Sequence, residues 1–378
     1  MSTSMTLDEA CDVIVDCEHN TAPLDENGDY FAVGTPAMRG NSIDYSEARR
    51  ISHTTFLEWT RRLTPQVGDV LLAREAPVGP IVLIPSLTVA PGQRTMLLRP
   101  NPTIVDSAYL RYLLISPTQQ ARLLQRSEGS TVSHLNVAEV KAFKLPCLPP
   151  VNAQRAIAAT LGALDDKIDS NRRIIQQIPS LIRAHILRAL QAEYLDVAVA
   201  DIAEFINGGA FTNGATGYGR VVIRIAELNS GIGGSTVYND LDVPDDQIAR
   251  AGDILMSWSG SLGVYRWAGD EAIINQHIFK VIPKPGYPSW LIFDRLSEVM
   301  PVFQGIARDK ATTMGHIQRG HLENTHVRIP GDTSIRLLDV ALASLWRRLL
   351  LAEQENRSLI ALRDTLLPEL LSGRLRVA

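Results

Sequence analysis

Apolar and polar positions along the 378-residue chain fall into two textures, and each occurs twice. The first is a series of short runs rich in β-branched and aromatic residues, punctuated by Gly and Pro, which predicts strands joined by turns. Tyr30-Phe31-Ala32-Val33, Val70-Leu71-Leu72 and the run at 78–84 belong to it, as do the runs at 221–225, 254–256 and 278–282. Short helices are predicted at 107–116 and 288–300. The second texture is helical. After Pro149-Pro150, the residues Ile157, Leu161, Leu164, Ile168, Asn171, Ile175, Ile178 and Ile182 are separated by alternating steps of four and three. Leu338, Leu342, Leu345, Leu349, Ala352, Asn356 and Leu359 repeat the spacing. This is the heptad signature of one helix lying along another.

A helix over residues 151–193 would be about 60 Å long, more than one small domain needs for its core. The two helices are therefore expected to pack on each other as an antiparallel pair. Asn171 and Asn356 fall on the seams. Each is either buried, where an Asn lowers stability but fixes register, or placed on a flank facing solvent. Pro179 removes a backbone donor inside the first helix and predicts a bend or break near residue 178. Pro368 predicts the same near the end of the second.

The textures repeat because the sequence does. GDVLL at 68–72 returns as GDILM at 252–256, an offset of 184, and Gly79 returns as Gly263. Gln93 and the stretch to Pro100 return as Gln276 through Pro283, offset 183. STVSHLN at 130–136 returns as TTMGHIQ at 312–318, offset 182, and Asn171-Arg172 as Asn356-Arg357, offset 185. The predicted fold is α+β: two β-rich domains separated by two long helices packed as an antiparallel coiled coil, with a pseudo-twofold internal repeat. The expected divisions are a domain at 1–150, a central helix at 151–195, a second domain at 196–332 and a C-terminal helix at 333–378.

Composition narrows the class. No run of about 18 apolar residues exists, so no membrane partner or span is expected. The first ten residues lack a basic-then-apolar leader, and the three cysteines, Cys11, Cys17 and Cys147, show no metal or disulfide spacing. A cytoplasmic location follows as an expectation. Net charge is −4; residues 1–150 carry −3 and 196–332 carry −5, while each helical segment carries +2. Phosphate-gripping proteins are commonly basic. If this chain reads nucleic acid, it does so with local arginines or with a partner that supplies most of the phosphate grip.

Catalytic patterns are missing. There is no phosphate loop, no H-E-x-x-H, no paired C-x-x-C, no Asn-Pro-Pro-aromatic methyltransferase loop (Asn101-Pro102 is followed by Thr103) and no Asp…Glu-x-Lys cluster. His134 and His316 lack a nucleophile with a matching acid. No catalytic residue, metal or cofactor is expected.

Several stretches resemble a known family. Leu145-Pro146 through Pro149-Pro150, QRAI at 154–157, LGALDDKIDSNR at 161–172 and RDTLLPELLSGRL at 363–375 are similar to the central and C-terminal regions of type I restriction-modification specificity (S) subunits. The family's order of target-recognition domain, helix, target-recognition domain, helix covers the whole chain. The resemblance implies a non-catalytic subunit. It would bind double-stranded DNA at a bipartite target, each domain reading one half-site. It would dock methyltransferase subunits, joined by a motor-nuclease restriction subunit. Pro179 departs from the regular helix usual in the family. Independently, two copies of a reader on a rod suit half-sites on major-groove faces that recur about every 34 Å.

Base readout needs Arg for guanine and Asn or Gln for adenine; backbone contacts use Lys, Arg, Ser and Thr. Two regions per copy offer such residues. One is the turn after the Gly-Asp strand: Arg74 with Glu75 in the first copy, and Trp258, Ser259 and Ser261 with Arg266 beyond in the second. The other precedes the His motif: Arg122, Arg126, Ser130 and Thr131, matched by Arg308, Lys310, Thr312 and Thr313. Ser130/Thr312 and His134/His316 equally suit a shared turn or cap, and Arg74 can simply pair with Glu75. Arg49, Arg50, Arg61 and Arg62 form two further basic pairs. Leu350, Leu351, Leu366, Leu367, Leu370 and Leu371 exceed what one helical seam buries. They suit protein partners, a wider seam or the chain's own domains. The competing reading of the whole chain is a duplicated coiled-coil scaffold that binds proteins without DNA specificity, which the acidic charge of both domains favours.

Overall fold

Two units emerge from the computed structural model, which describes residues 5–39, 42–127, 134–309 and 315–377. The first unit comprises residues 1–166 and 360–378, the second 167–359.

The main sheet of the first unit contains β1 (Cys11–Asp16), β2 (Val70–Arg74), β3 (Val78–Leu83) and β4 (Thr95–Pro100). Their order is β1-β4-β2-β3, with every neighbour antiparallel. Strand β2 is buried at all five positions. Successive side chains leave opposite faces of a strand, and both faces here are covered. Val70 and Leu72 join a core with Tyr109, Leu110 and Leu113 of helix α1 (Ser107–Ile115) and Leu123 of α2 (Pro117–Ser127). Leu71 and Ala73 join a second core with Val33 and Val89. Those two belong to a small sheet in which Tyr30–Val33 pairs antiparallel with Arg49–Ile51 and parallel with Val89–Pro91. Burial on both faces is why the run reads as continuously apolar rather than alternating. After α2 the chain enters the long helix α3 (Val151–Leu190).

The second unit repeats this plan. Its main strands are β5 (Ala203–Asn207), β6 (Ile254–Ser257), β7 (Gly263–Arg266) and β8 (Ile278–Pro283), ordered β5-β8-β6-β7 and again fully antiparallel. Its smaller sheet likewise has one antiparallel and one parallel neighbour on Arg220–Ile223, with the short strand Ile248–Ala249 added. Helix α4 (Ser289–Asp309) covers the main sheet, and α5 (Asp332–Leu371) closes the chain. The helix predicted at 288–300 thus runs nine residues further. At the equivalent point of the first unit, Ser116 is extended and Pro117 begins a new helix, whereas Pro301, at the same offset of 184, lies inside α4.

The repeated Gly-Asp is turn chemistry. Gly68 and Gly252 have φ of +92° and +100°, a region open to glycine. The following carboxylates close the turn: the amide of Gln66 donates to Asp69 Oδ2 and that of Arg250 to Asp253 Oδ2, both at 2.8 Å. Asn136 and Gln318, the last residues of the repeated His motif, N-cap the short helices Val137–Lys141 and Arg319–Asn324: Asn136 and Glu139 form a reciprocal capping box, and the Gln318 amide donates to His321 Nδ1 at 2.8 Å.

Of the predicted seam residues, Ile157, Leu161, Ile168, Asn171, Ile178, Ile182, Leu342, Leu349, Ala352 and Asn356 are buried, and Leu164, Ile175, Leu338, Leu345 and Leu359 are half-buried. In the first unit, Ile157 and Leu161 share a core with Leu367 and Leu370, and Leu366 and Leu371 pack against it. These four C-terminal leucines therefore serve the chain's own core. In the second unit, Ile178, Ile182 and Ile186 pack with Ile335, Leu342 and Leu349. Asn171 is fully buried there and donates from Nδ2 to Glu355 Oε2 at 2.8 Å. Asn356 is 7% exposed. Both Asn residues take the seam rather than the flank. Pro179 does not break the helix: α3 is continuous through it, because tertiary packing of Ile178 and Ile182 holds the turn on either side. Pro368 is likewise inside α5.

Candidate nucleic-acid interface

In both units the end of the central strand is tied to the start of the last strand and to the His motif by the same backbone hydrogen bonds. In the first, the Arg74 amide donates to the Arg94 carbonyl at 2.9 Å, and the Leu135 amide donates to the Arg74 carbonyl at 2.9 Å. In the second, the Trp258 amide donates to the His277 carbonyl at 3.2 Å, and the Ile317 amide to the Trp258 carbonyl at 3.0 Å. Glu75 bridges His134, and Ser259 bridges His316. The turn after the Gly-Asp strand and the His motif therefore meet at one place in each unit.

The side chains on this common frame differ. Arg74 is turned inward and 8% exposed. Its Nη1 donates to the Leu135 carbonyl at 3.1 Å, its Nη2 lies 3.2 Å from His19 Nδ1, and its Nε lies 3.3 Å from Asp16 Oδ1. That guanidinium fastens the His-motif loop to the sheet. Trp258, at the equivalent position, stacks on Phe279 with centroids 5.8 Å apart, and its Nε1 donates to Asn207 Oδ1 at 2.8 Å. Ser259 is buried, with its Oγ 2.9 Å from His277 Nδ1.

The remaining candidates fall in three places. Arg122 and Arg126 lie on the ring of Phe143, at 4.9 and 5.5 Å from its centroid. Arg122 also donates to Gln119 Oε1 at 2.6 Å, and Arg126 to the Glu139 carbonyl at 3.3 Å. Ser261 and Arg308 are brought together: with Gly260, Gln304 and Gly315 they line an open groove of about 430 Å³. Arg266 instead faces α5. Its Nη2 is 2.7 Å from Glu353 Oε2, its Nη1 donates to the Trp346 carbonyl at 3.1 Å, and its guanidinium lies 4.3 Å from the Trp346 ring centroid. Burial lowers the pKa of Arg266 and raises that of Glu353, and their mutual charge opposes both shifts. Ser130, Thr131, Lys310, Thr312 and Thr313 lie outside the described residues.

Sequence reasoning missed a buried ionic hub in the first unit. Asp165, inside the LGALDDKIDSNR stretch, accepts from Tyr112 Oη at 2.7 Å and Arg111 Nη2 at 3.2 Å through Oδ2, and from Arg363 Nη1 at 3.0 Å through Oδ1. Burial alone would raise its pKa. The hydrogen bonds from Tyr112 and Arg363 and the charge of Arg111 outweigh that and hold the carboxyl below its ordinary value. Two of the stretches that carry the family resemblance meet in this contact. Arg111 has its counterpart 184 residues on: Arg295, fully buried, pairs with Asp294 and Glu298 and donates to the Arg328 carbonyl at 3.1 Å. The offset that revealed the Gly-Asp repeat would have found both arginines.

Among the described residues no group of three or more His, Cys, Asp or Glu side chains is placed to hold a metal, and no helix is long and apolar enough to cross a membrane. Comparison with known proteins gives a consistent picture. The Type I restriction enzyme MjaIX specificity subunit of Methanocaldococcus jannaschii is 21% identical, over 87% of this chain and 82% of its own length. A putative type I restriction enzyme MjaX specificity subunit of the same organism is 29% identical over 29% of this chain and 25% of its own. The crystal structure of a type I restriction-modification system S subunit from M. genitalium shares the fold, with a TM-score of 0.65 at 15% identity, over 98% of this chain and 96% of that one. The model of the type I restriction modification DNA specificity domain matches twice, at residues 3–180 and 192–334. The duplicated sheet, the paired helices and this double match carry one conclusion: the chain belongs to the type I restriction modification DNA specificity family.

Proposed function

We propose that this chain is the non-catalytic sequence-reading subunit of a type I restriction-modification complex, with each unit reading one half of a bipartite target in double-stranded DNA. The observation that carries the reading is the doubled sheet end, where one backbone frame presents two different sets of side chains. A pair of readers for two unlike half-sites needs that arrangement. The domain divisions at 1–150, 151–195, 196–332 and 333–378 are part of the proposal. So are the DNA contacts through Ser261 and Arg308, and through the loops that carry Ser130, Thr131, Lys310, Thr312 and Thr313. Arg74 and Arg266 act in it by holding loops and helix in place. Family membership favours this reading over the protein-binding scaffold.

Methyltransferase subunits would dock on the helices, and a motor-nuclease subunit would join for cleavage. Leu337, Val340 and Leu351 of α5 are 71%, 84% and 50% exposed on steps of helical period, which suits such a protein contact. The test is co-expression with the chain's methyltransferase subunit in a host that lacks both, followed by sequencing of methylated adenines. The expected result is one bipartite motif with a fixed spacer. Methylation without a motif, or none, would overturn the reading.

A further inference from the structure

The shared frame allows residues of the two units to be matched by structure rather than by sequence. Arg74 corresponds to Trp258 and Arg94 to His277, because each pair makes the same amide-to-carbonyl bond. Glu75 corresponds to Ser259, each forming the isolated bridge to its histidine. Asp16 corresponds to Asn207: they lie opposite Met96 and Phe279, which stand at the same 183-residue offset as Gln93 and Gln276. This last match is invisible in sequence, since it falls at an offset of 191.

At this sheet end the buried positions hold the frame, and the exposed ones carry base-reading chemistry. In the first unit Arg94 is exposed and pairs with Glu75 at 3.5 Å, a surface contact that is easily exchanged for another partner. Its φ is +68°, a left-handed conformation that a residue with a Cβ adopts at a cost, and such strain gathers at functional sites. Beside it lies an open groove of about 200 Å³ lined by Thr35, Arg49 and Gln93. In the second unit Asn207 and Gln276 are exposed, and His277 is half-buried between Ser259 and Gln276. The Trp258 indole fixes the orientation of the Asn207 amide. Arginine suits guanine, and Asn and Gln suit adenine.

Resting on the specificity-subunit reading, we propose that Arg94 with Glu75 in the first unit, and Asn207, Gln276 and His277 in the second, are specificity-determining residues that choose bases in the two half-sites. The full chain is tested in complex with its methyltransferase subunit, reading methylated motifs across the host genome. Arg94→Gly removes the fork and relieves the left-handed backbone. It is expected to lower discrimination at one base of one half-site about tenfold or more. The other half-site and the spacer stay unchanged, and the Tm of the purified complex rises. Glu75→Ser with Arg94→His gives the first unit two side chains of the second and is expected to alter the same half-site. Gln276→Ala with His277→Ala is expected to relax only the other half. An unchanged motif in these variants overturns the proposal, as does a fall in Tm with uniformly weaker methylation in Arg94→Gly. Absence of any bipartite motif with the unaltered chain overturns the functional reading itself, and this inference with it.

Discussion

Asp165 shows how much one carboxylate can organise. It receives two arginines and a tyrosine, and the side chains of Asp165, Arg111 and Arg363 are 13%, 7% and 18% exposed. Asp165→Asn would keep the shape but leave the Arg111 guanidinium without its charge partner and Arg363 with Asp364 alone. Breaking a buried pair from one side costs about 3 kcal/mol or more, so the variant is expected to lose about that much at pH 7. Thermal unfolding checks the loss, and faster amide exchange in α1, which carries Arg111 and Tyr112, localises it to the first unit. The sign of the pH dependence follows from the direction of the shift. The folded carboxyl titrates below its ordinary value, so its stabilisation is complete above the unfolded pKa of about 4 and disappears as pH falls through the lower folded value. The gap between wild type and variant therefore narrows on acidification below pH about 4. A gap that widened there would show that the carboxyl acts by some means other than its charge.

At the level of elements, the long helices were legible because their signal is a period, and packing along a seam demands that period whatever the surrounding loops do. The antiparallel pairing within each unit followed from it, while the period left the Asn residues open between seam and flank. The β-rich parts were legible as strands and as a repeat, but not as a pair of sheets in each unit. Their pairing depends on contacts far apart in sequence, and loops between strands change length at little cost. The offset drifts from 191 at β5 to 184 at β6 for that reason, which hid Asn207 behind Asp16. Arg74 and Arg266 read as candidate DNA contacts because nothing local distinguishes a guanidinium bound for a carboxylate from one bound for DNA. Of the bend or break that Pro179 predicted, the break does not occur. The helix accepts the proline, yet still forgoes one hydrogen bond, a cost of about 3 kcal/mol in a helix interior. Some of that returns because proline restricts the unfolded chain, by about 1 kcal/mol at most. Pro179→Ala is expected to stabilise the second unit by about 2 kcal/mol, read as a higher urea midpoint. A lower midpoint would mean that the proline ring itself is needed in the packing around Ile178 and Ile182.

For the molecule as a whole, charge is the feature that separates recognition from grip. The chain carries −4, and its two β-rich regions carry −3 and −5, although each holds arginines at or near the proposed reading end. Much of the affinity of a DNA-binding protein comes from displacing counterions with Lys and Arg, and each phosphate contact adds about 0.9 to the slope of log affinity against log salt. Several arginines here are already engaged: Arg74 by Asp16, Arg111 and Arg363 by Asp165, Arg266 by Glu353, and Arg295 by Asp294 and Glu298. They hold the fold and do not count towards phosphate neutralisation. The chain alone is therefore expected to bind DNA weakly, with a slope of magnitude about 3 or less, and the complex with methyltransferase subunits with a slope several units steeper. Fluorescence anisotropy on one labelled duplex, from low to high salt, measures both. On the proposed function the base preference should be the same in the two series, with the reading side chains on this chain and the added phosphate contacts on its partners. A slope for the isolated chain as steep as that of the complex would show that the grip, as well as the reading, resides here, and the division of labour would fall.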